Sequence, residues 1–166
     1  MYRIYRVYRV KKSMRVLFTV LMLGCISSYA ELQGQSRPKI TPCAVLKTAE
    51  VEKATGQDKL ENTLEGNSCD WRAAIRQGNA LTVVLTLHNA GDKDQFARLK
   101  REMSEAGSRM KAVSGLGDEA NYQGDYQIAG AGGLLVRRGT QMFTIFGTIG
   151  SENSYVTLAK IVLQRI

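Results

Sequence analysis

The sequence predicts an α+β domain: an antiparallel sheet built from two hairpins, with amphipathic helices packed on one face. Three observations carry this. Two stretches, around 69–88 and 133–149, alternate apolar and polar residues on either side of a tight-turn signal. Each is followed by a stretch whose apolar residues step by three and four, as on one side of a helix. Strands joined by turns this short pair antiparallel, because a parallel crossover needs about a dozen residues or more.

Residues 31–42 (Glu-Leu-Gln-Gly-Gln-Ser-Arg-Pro-Lys-Ile-Thr-Pro) hold both prolines of the chain and read as a polar tether to a single domain over 43–166. Helical spacing begins after Pro42. Thr48 reads as the N-cap of a helix over Ala49–Thr55, which Gly56 is placed to end. Residues 57–68 read as polar and irregular. Cys69, Trp71, Ala73 and Ile75 then share one strand parity, and Asp70, Arg72 and Arg76 take the other. After the turn signal Gln77-Gly78-Asn79, Leu81, Val83, Leu85 and Leu87 alternate with Thr82, Val84, Thr86 and His88. This hairpin has one apolar face and one wet face.

Asp92 or Asp94 caps the next helix, which runs to about Met110 with Phe96, Leu99, Met103, Ala106 and Met110 as its stripe. Val113–Ala120 reads as a turn leading to a strand near Ala120–Gln123. The second hairpin pairs Gly133–Arg137 with Gln141–Ile149 through Arg138-Gly139-Thr140. A last helix from Asn153 carries Tyr155, Leu158, Ala159, Val162 and Ile166 on one side.

Ahead of the domain stands a leader. Six of the chain's 23 Lys and Arg residues (Arg3, Arg6, Arg9, Lys11, Lys12 and Arg15) precede an apolar run over Val16–Ile26, with Ser28 and Ala30 as the small residues a signal peptidase requires. The run is shorter than the ~20 residues of a permanent membrane helix. Residues 1–30 therefore read as a signal peptide cleaved after Ala30. The alternative is acylation of Cys25, since Leu23-Gly24-Cys25 resembles the end of a lipobox. The Tyr-Arg triplets of residues 2–10 read as an overlong basic region, and Met14 opens a compact signal by itself. The other 17 basic residues face 15 acidic ones, so the formal +8 falls to about +2 beyond the leader and offers no case for nucleic acid as a partner.

Beyond the leader only Cys43 and Cys69 remain. Two cysteines in an exported domain pair, because the compartment is oxidising. Their bridge would pin the first helix to the apolar side of the sheet. A metal pair would need further ligands, and His88 is the only histidine.

Reactive signatures are sparse. A Ser-His-Asp arrangement would have to use His88, which falls on the wet parity. Asp118 and Glu119, adjacent on a strand, point to opposite faces and suit turn bonding better than paired-carboxylate chemistry. Gly130, Gly132 and Gly133 run into a strand, with no Gly-Lys-Ser/Thr following, so a phosphate loop does not fit. These readings assign no catalytic residue, no metal and no cofactor. What remains is a candidate binding face: Arg72, Arg76, Thr82, Thr86 and His88 on the outer side of the first hairpin, with Thr144 and Thr148 from the second. If no helix covers it, this face is a mildly cationic platform for an anionic glycan, a lipid head group or an envelope protein.

Several motifs recur in order: Pro42-Cys43-x-x-Leu46, Thr48-x-x-Val51-Glu52 with Gly56, Cys69-x-Trp71, Gly115-Leu-Gly-Asp-Glu-Ala120, Leu135-Val-Arg-Arg-Gly139 and a closing Leu158-Ala159 helix. Over about residues 42–166 they resemble a family of small exported bacterial proteins, often lipoproteins, catalogued as a domain of unknown function. The resemblance implies a paired Cys43 and Cys69, an α+β fold and an envelope location, and it carries no activity. The leading functional expectation is a non-catalytic binding or accessory module of the bacterial envelope, periplasmic or secreted. The alternative is a secreted inhibitor of an envelope enzyme presenting the loop Gly124–Gly133. An enzyme stands third.

Overall fold

The computed structural model describes residues 40–73, 81–88, 93–106, 110–124 and 131–166. The leader with Cys25 and Ala30, most of the tether, Ile75, Arg76, the Gln77–Asn79 turn, Asp92 and the interior of the Gly124–Gly133 loop lie outside these residues. Two helices open the domain, α1 (Pro42–Val45) and α2 (Thr48–Thr55). Pro42 sits in the first turn of α1 and is buried there. It suits that place because its missing N–H would find no partner in a first turn anyway. Lys47, not Thr48, is the N-cap of α2, and its backbone N–H donates to the Glu50 carboxylate at 2.9 Å. Thr48 lies inside the helix because its hydroxyl is engaged elsewhere, accepting from the Trp71 indole at 3.2 Å and from the Asn62 amide at 2.8 Å. Gly56, at φ 70°, closes α2 with its N–H on Glu52 O.

The sheet has seven strands: β1 (Leu60–Glu65), β2 (Ser68–Ala73), β3 (Thr82–His88), β4 (Lys111–Ala112), β5 (Glu119–Gly124), β6 (Gly132–Arg138) and β7 (Gln141–Gly147). Their order is β1-β2-β3-β7-β6-β5-β4, with every pairing antiparallel. Helix α3 (Lys93–Ala106) follows β3, and α4 (Glu152–Leu163) follows β7. Both expected hairpins are present and join side by side through β3 and β7, where Leu85 faces Ile145 and Thr86 faces Thr144. The sheet is nonetheless larger than two hairpins. The stretch 57–68 contains β1, an edge strand on which only Leu60 is buried. Such a strand shows no alternation because neither of its faces is covered along most of its length.

The expectation that the helices share one face is corrected. One face carries Cys69, Trp71, Val83, Leu85, Leu134, Val136, Phe143 and Ile145, packed with Val45, Leu46 and Val51 and with Tyr155, Leu158, Ala159 and Val162 of α4. The other carries Leu135 and Met142, packed with Phe96 and Met103 of α3, with Leu99, Met110 and Phe146 at the margin. Helix α3 thus covers part of the face expected to be wet. The physical reason is visible in β6, which is buried from Gly132 through Val136. A strand apolar on consecutive positions is covered on both sides.

The bridge between Cys43 and Cys69 is present, with Cα atoms 5.2 Å apart, and Cys69 is fully buried beside the core that holds Trp71. It ties α1 to β2, the helix–sheet seam expected from the parity of Cys69. Arg165 completes the attachment of this end, its guanidinium paired with both Glu50 oxygens (2.7 and 2.6 Å) and with Val45 O at 2.6 Å. At the opposite end, Gly117 takes φ 60°, and a Cβ built there would lie 2.4 Å from Arg137 O. Only glycine allows the turn to press this closely on β6. Asp118 fastens the same turn, accepting from Gly139 N–H at 2.6 Å, while Glu119 meets Lys100 of α3 at 3.1 Å. The two acids therefore do structural bonding in different places.

Candidate functional site

Helix α3 lies over β5 and β6, and beside it the second face of the sheet opens into a cleft of about 590 Å³. Among the described residues the cleft is lined by Thr86 and His88 of β3, Thr144, Phe146 and Gly147 of β7, Ala131 and Gly132 at the start of β6, and Leu99, Glu102 and Met103 of α3. Each element presents these side chains for a simple reason. Residues 86 and 88 share a strand parity, as do 144 and 146, so they point to one side. Residues 99, 102 and 103 sit three and four apart, so one helix flank carries all of them.

The polar groups of the lining converge on one spot. Thr86 and Thr144 are direct partners across β3 and β7. The imidazole Nε2 of His88 lies 3.2 Å from Thr144 Oγ1, and Thr86 Oγ1 lies 2.8 Å from Ser68 Oγ. Burial pushes the His88 pKa below its ordinary 6.5, so the ring is neutral at neutral pH. A neutral imidazole and two hydroxyls can both donate and accept hydrogen bonds. Around them Leu99, Met103 and Phe146 supply an apolar wall, and Glu102, an exposed residue, contributes the one carboxylate of the described lining.

Of the seven residues expected to form the binding face, the structure brings Thr86, His88 and Thr144 together in the cleft. Thr82 and Thr148 are joined to each other instead. Thr82 N–H donates to Thr148 Oγ1 at 3.1 Å, and Thr148 N–H to Thr82 O at 2.9 Å, which extends the β3–β7 ladder. Arg72 is exposed and forms an ion pair with Asp70 on its own strand. Arg76 lies outside the described residues. Of the two arginines expected on the face, the described residues thus include Arg72 alone, which is charge-paired, and the cleft adds apolar residues. Sequence reasoning placed Leu99 and Met103 on a core stripe and left Phe146 unassigned. The available signal was the parity of Met142 and Phe146, apolar residues on the side opposite Phe143 and Ile145.

A second hollow, about 490 Å³, lies between α2 and α4 and is lined by Glu50, Lys53, Ala54, Asn153, Ser154, Thr157 and Ile161. Its carboxylate is already held by Arg165, which keeps the Glu50 pKa below the ordinary range and leaves little recognition capacity there. Among the described residues no group of three His, Cys, Asp or Glu side chains is placed to hold a metal ion, and no helix is long and apolar enough to cross a membrane. The disulfide suits an oxidising, extracytoplasmic compartment. No protein-family model matches the chain, and no curated protein does either.

Proposed function

We propose that this protein is a non-catalytic binding module of the bacterial envelope, and that the cleft beside α3 is where it binds. The observation that carries the reading is the convergence of Thr86, His88 and Thr144 at one place in a mainly apolar hollow of about 590 Å³ that has Glu102 on its helix wall. Small-molecule sites have this form: a concave, mainly apolar lining with a few placed polar groups, in the range of about 300–1,000 Å³. The leader and the disulfide support an exported setting, as does the resemblance of the ordered motifs to small exported bacterial proteins.

A ligand-neutral screen tests the binding site. Methyl NMR of the protein with its disulfide intact, against a fragment set of mixed charge, should collect its hits on the Met103, Thr86 and Thr144 methyl signals. Hits gathered on the hollow between α2 and α4, or spread evenly over the surface, would contradict the assignment. The location is tested by intact mass of the exported protein, which should begin at Glu31 or at an acylated Cys25.

A further inference from the structure

Taking the cleft as the binding site, as proposed above, we infer that its ligand is an uncharged amphiphile: an apolar chain lying along α3, ending in a hydroxyl- or amide-type head over Thr86, His88 and Thr144. The size follows from the volume. At about 30 Å³ for a water-sized unit, 590 Å³ holds roughly twenty non-hydrogen atoms, enough for a chain and a small head.

The orientation follows from where the polar atoms stand. Leu99, Met103 and Phe146 offer only carbon and sulfur, so the ligand's body meets nothing there that needs a hydrogen bond. Thr86 and Thr144 face each other across two strands, and His88 stands two residues along β3 on the same side. Among the described residues these three supply the uncharged side-chain hydrogen-bonding groups of the lining, so the head group is placed over them. His88 Nε2 is committed to Thr144, and among the described residues its Nδ1 has no protein partner, which leaves a ring nitrogen for a hydroxyl or amide to meet.

The charges of the described lining favour a neutral head over an anionic one. A carboxylate or phosphate entering the cleft would lose its water and find Glu102 as the ionised group of the described lining. His88 offers no compensating charge, since burial keeps it neutral at neutral pH. Among the described residues the strands present two arginines on this side, Arg72 and Arg137, and each forms an ion pair, with Asp70 and Asp118. Of the partners the sequence suggests, an anionic glycan, a lipid head group or an envelope protein, this reading takes a neutral head group.

The test is a pair of probes with the same chain and different heads, 1-monolauroylglycerol and laurate. Each is titrated at pH 7.5 below its self-association limit into the full protein purified with its disulfide intact. Met103, Thr86 and Thr144 methyl signals should move on adding monolauroylglycerol, with a dissociation constant at least about tenfold below that of laurate. Glu102→Gln, on an exposed helix position, should narrow that ratio by strengthening laurate. Thr144→Val, close to isosteric, should weaken monolauroylglycerol while the Trp71 emission of the folded state stays unchanged. Laurate binding as tightly at the same methyls would overturn the ligand class and leave the cleft standing. Failure of both probes to move these signals would also overturn the class, and the fragment screen judges the cleft separately.

Discussion

Replacing Cys43 and Cys69 together by alanine opens a loop closed over 26 positions of the chain. The loop-entropy relation gives that closure about 3.5 kcal/mol at 25 °C, by restricting the unfolded chain. The Cys69 sulfur is also fully buried, and losing a group of that size from a packed site adds about 1 kcal/mol. The sum, about 4–5 kcal/mol, is a large part of the ~5–15 kcal/mol that holds a domain folded. Trp71 is the only tryptophan of the chain and is fully buried two residues from Cys69, so its emission in a urea titration reports the loss directly. With a slope of about 2 kcal/mol per molar, the midpoint should fall by about 2 M. A loss under about 1 kcal/mol would refute the reasoning. It would mean that the unfolded chain already keeps α1 near β2, and that the seam does not rest on the bond.

Thr48→Val should cost about 1–3 kcal/mol in the same titration, because it leaves the Trp71 indole N–H without its acceptor in the core, and Thr48→Ser should restore most of that. An unchanged midpoint would contradict the bond. Gly117→Ala should lose at least about 2 kcal/mol more than Gly115→Ala. Both glycines have positive φ, but only at Gly117 does a Cβ run into backbone, the Arg137 carbonyl; equal losses would deny the close approach. Acidification should also destabilise the protein through His88. Its folded pKa is depressed by burial, so the unfolded chain takes up the proton first. Stability then declines as pH falls through about 6.5 and levels off below the folded value. His88→Gln should flatten that part of the melting-temperature profile between pH 7.5 and 5.5, and a His88-dependent gain on acidification would contradict burial as the cause. Glu50 acts lower, its Arg165-stabilised carboxylate contributing until the pH drops below its ordinary 4.5.

The legible parts of this fold are those where one face is dry and the other wet. Residues 69–73 and 81–88 alternate because α1, α2 and α4 cover one side of β2 and β3, and the same parity puts the Cys69 end of the disulfide on that side. Two features escaped for opposite reasons. β1 is too exposed to alternate, and β6 is too buried to alternate, since α3 presses on its second side through Phe96 and Met103. Missing the second layer is what hid the apolar wall that stands beside Thr86, His88 and Thr144. Thr86, His88 and Thr144 could be placed on one side by parity alone. That α3 would set Leu99 and Met103 beside them is a long-range packing outcome, which no local pattern in residues 93–106 encodes. Thr48 shows the same limit at one residue. It has the chemistry of an N-cap, and a tryptophan 23 positions away claims its hydroxyl instead.

Binding in the hollow between α3 and the β3–β7 floor requires that a ligand can enter it. The most direct measurement is a fluorescence titration of N-phenyl-1-naphthylamine, an uncharged apolar fluorophore, against the native protein and Leu99→Trp. Leu99 is half-buried on the wall of the cleft, and an indole there fills the space the probe needs. The native protein should bind the probe saturably and the variant at least about tenfold more weakly, with the two melting temperatures within a few degrees of each other. Equal affinity in two equally stable proteins would place the probe elsewhere and contradict the cleft as the binding site.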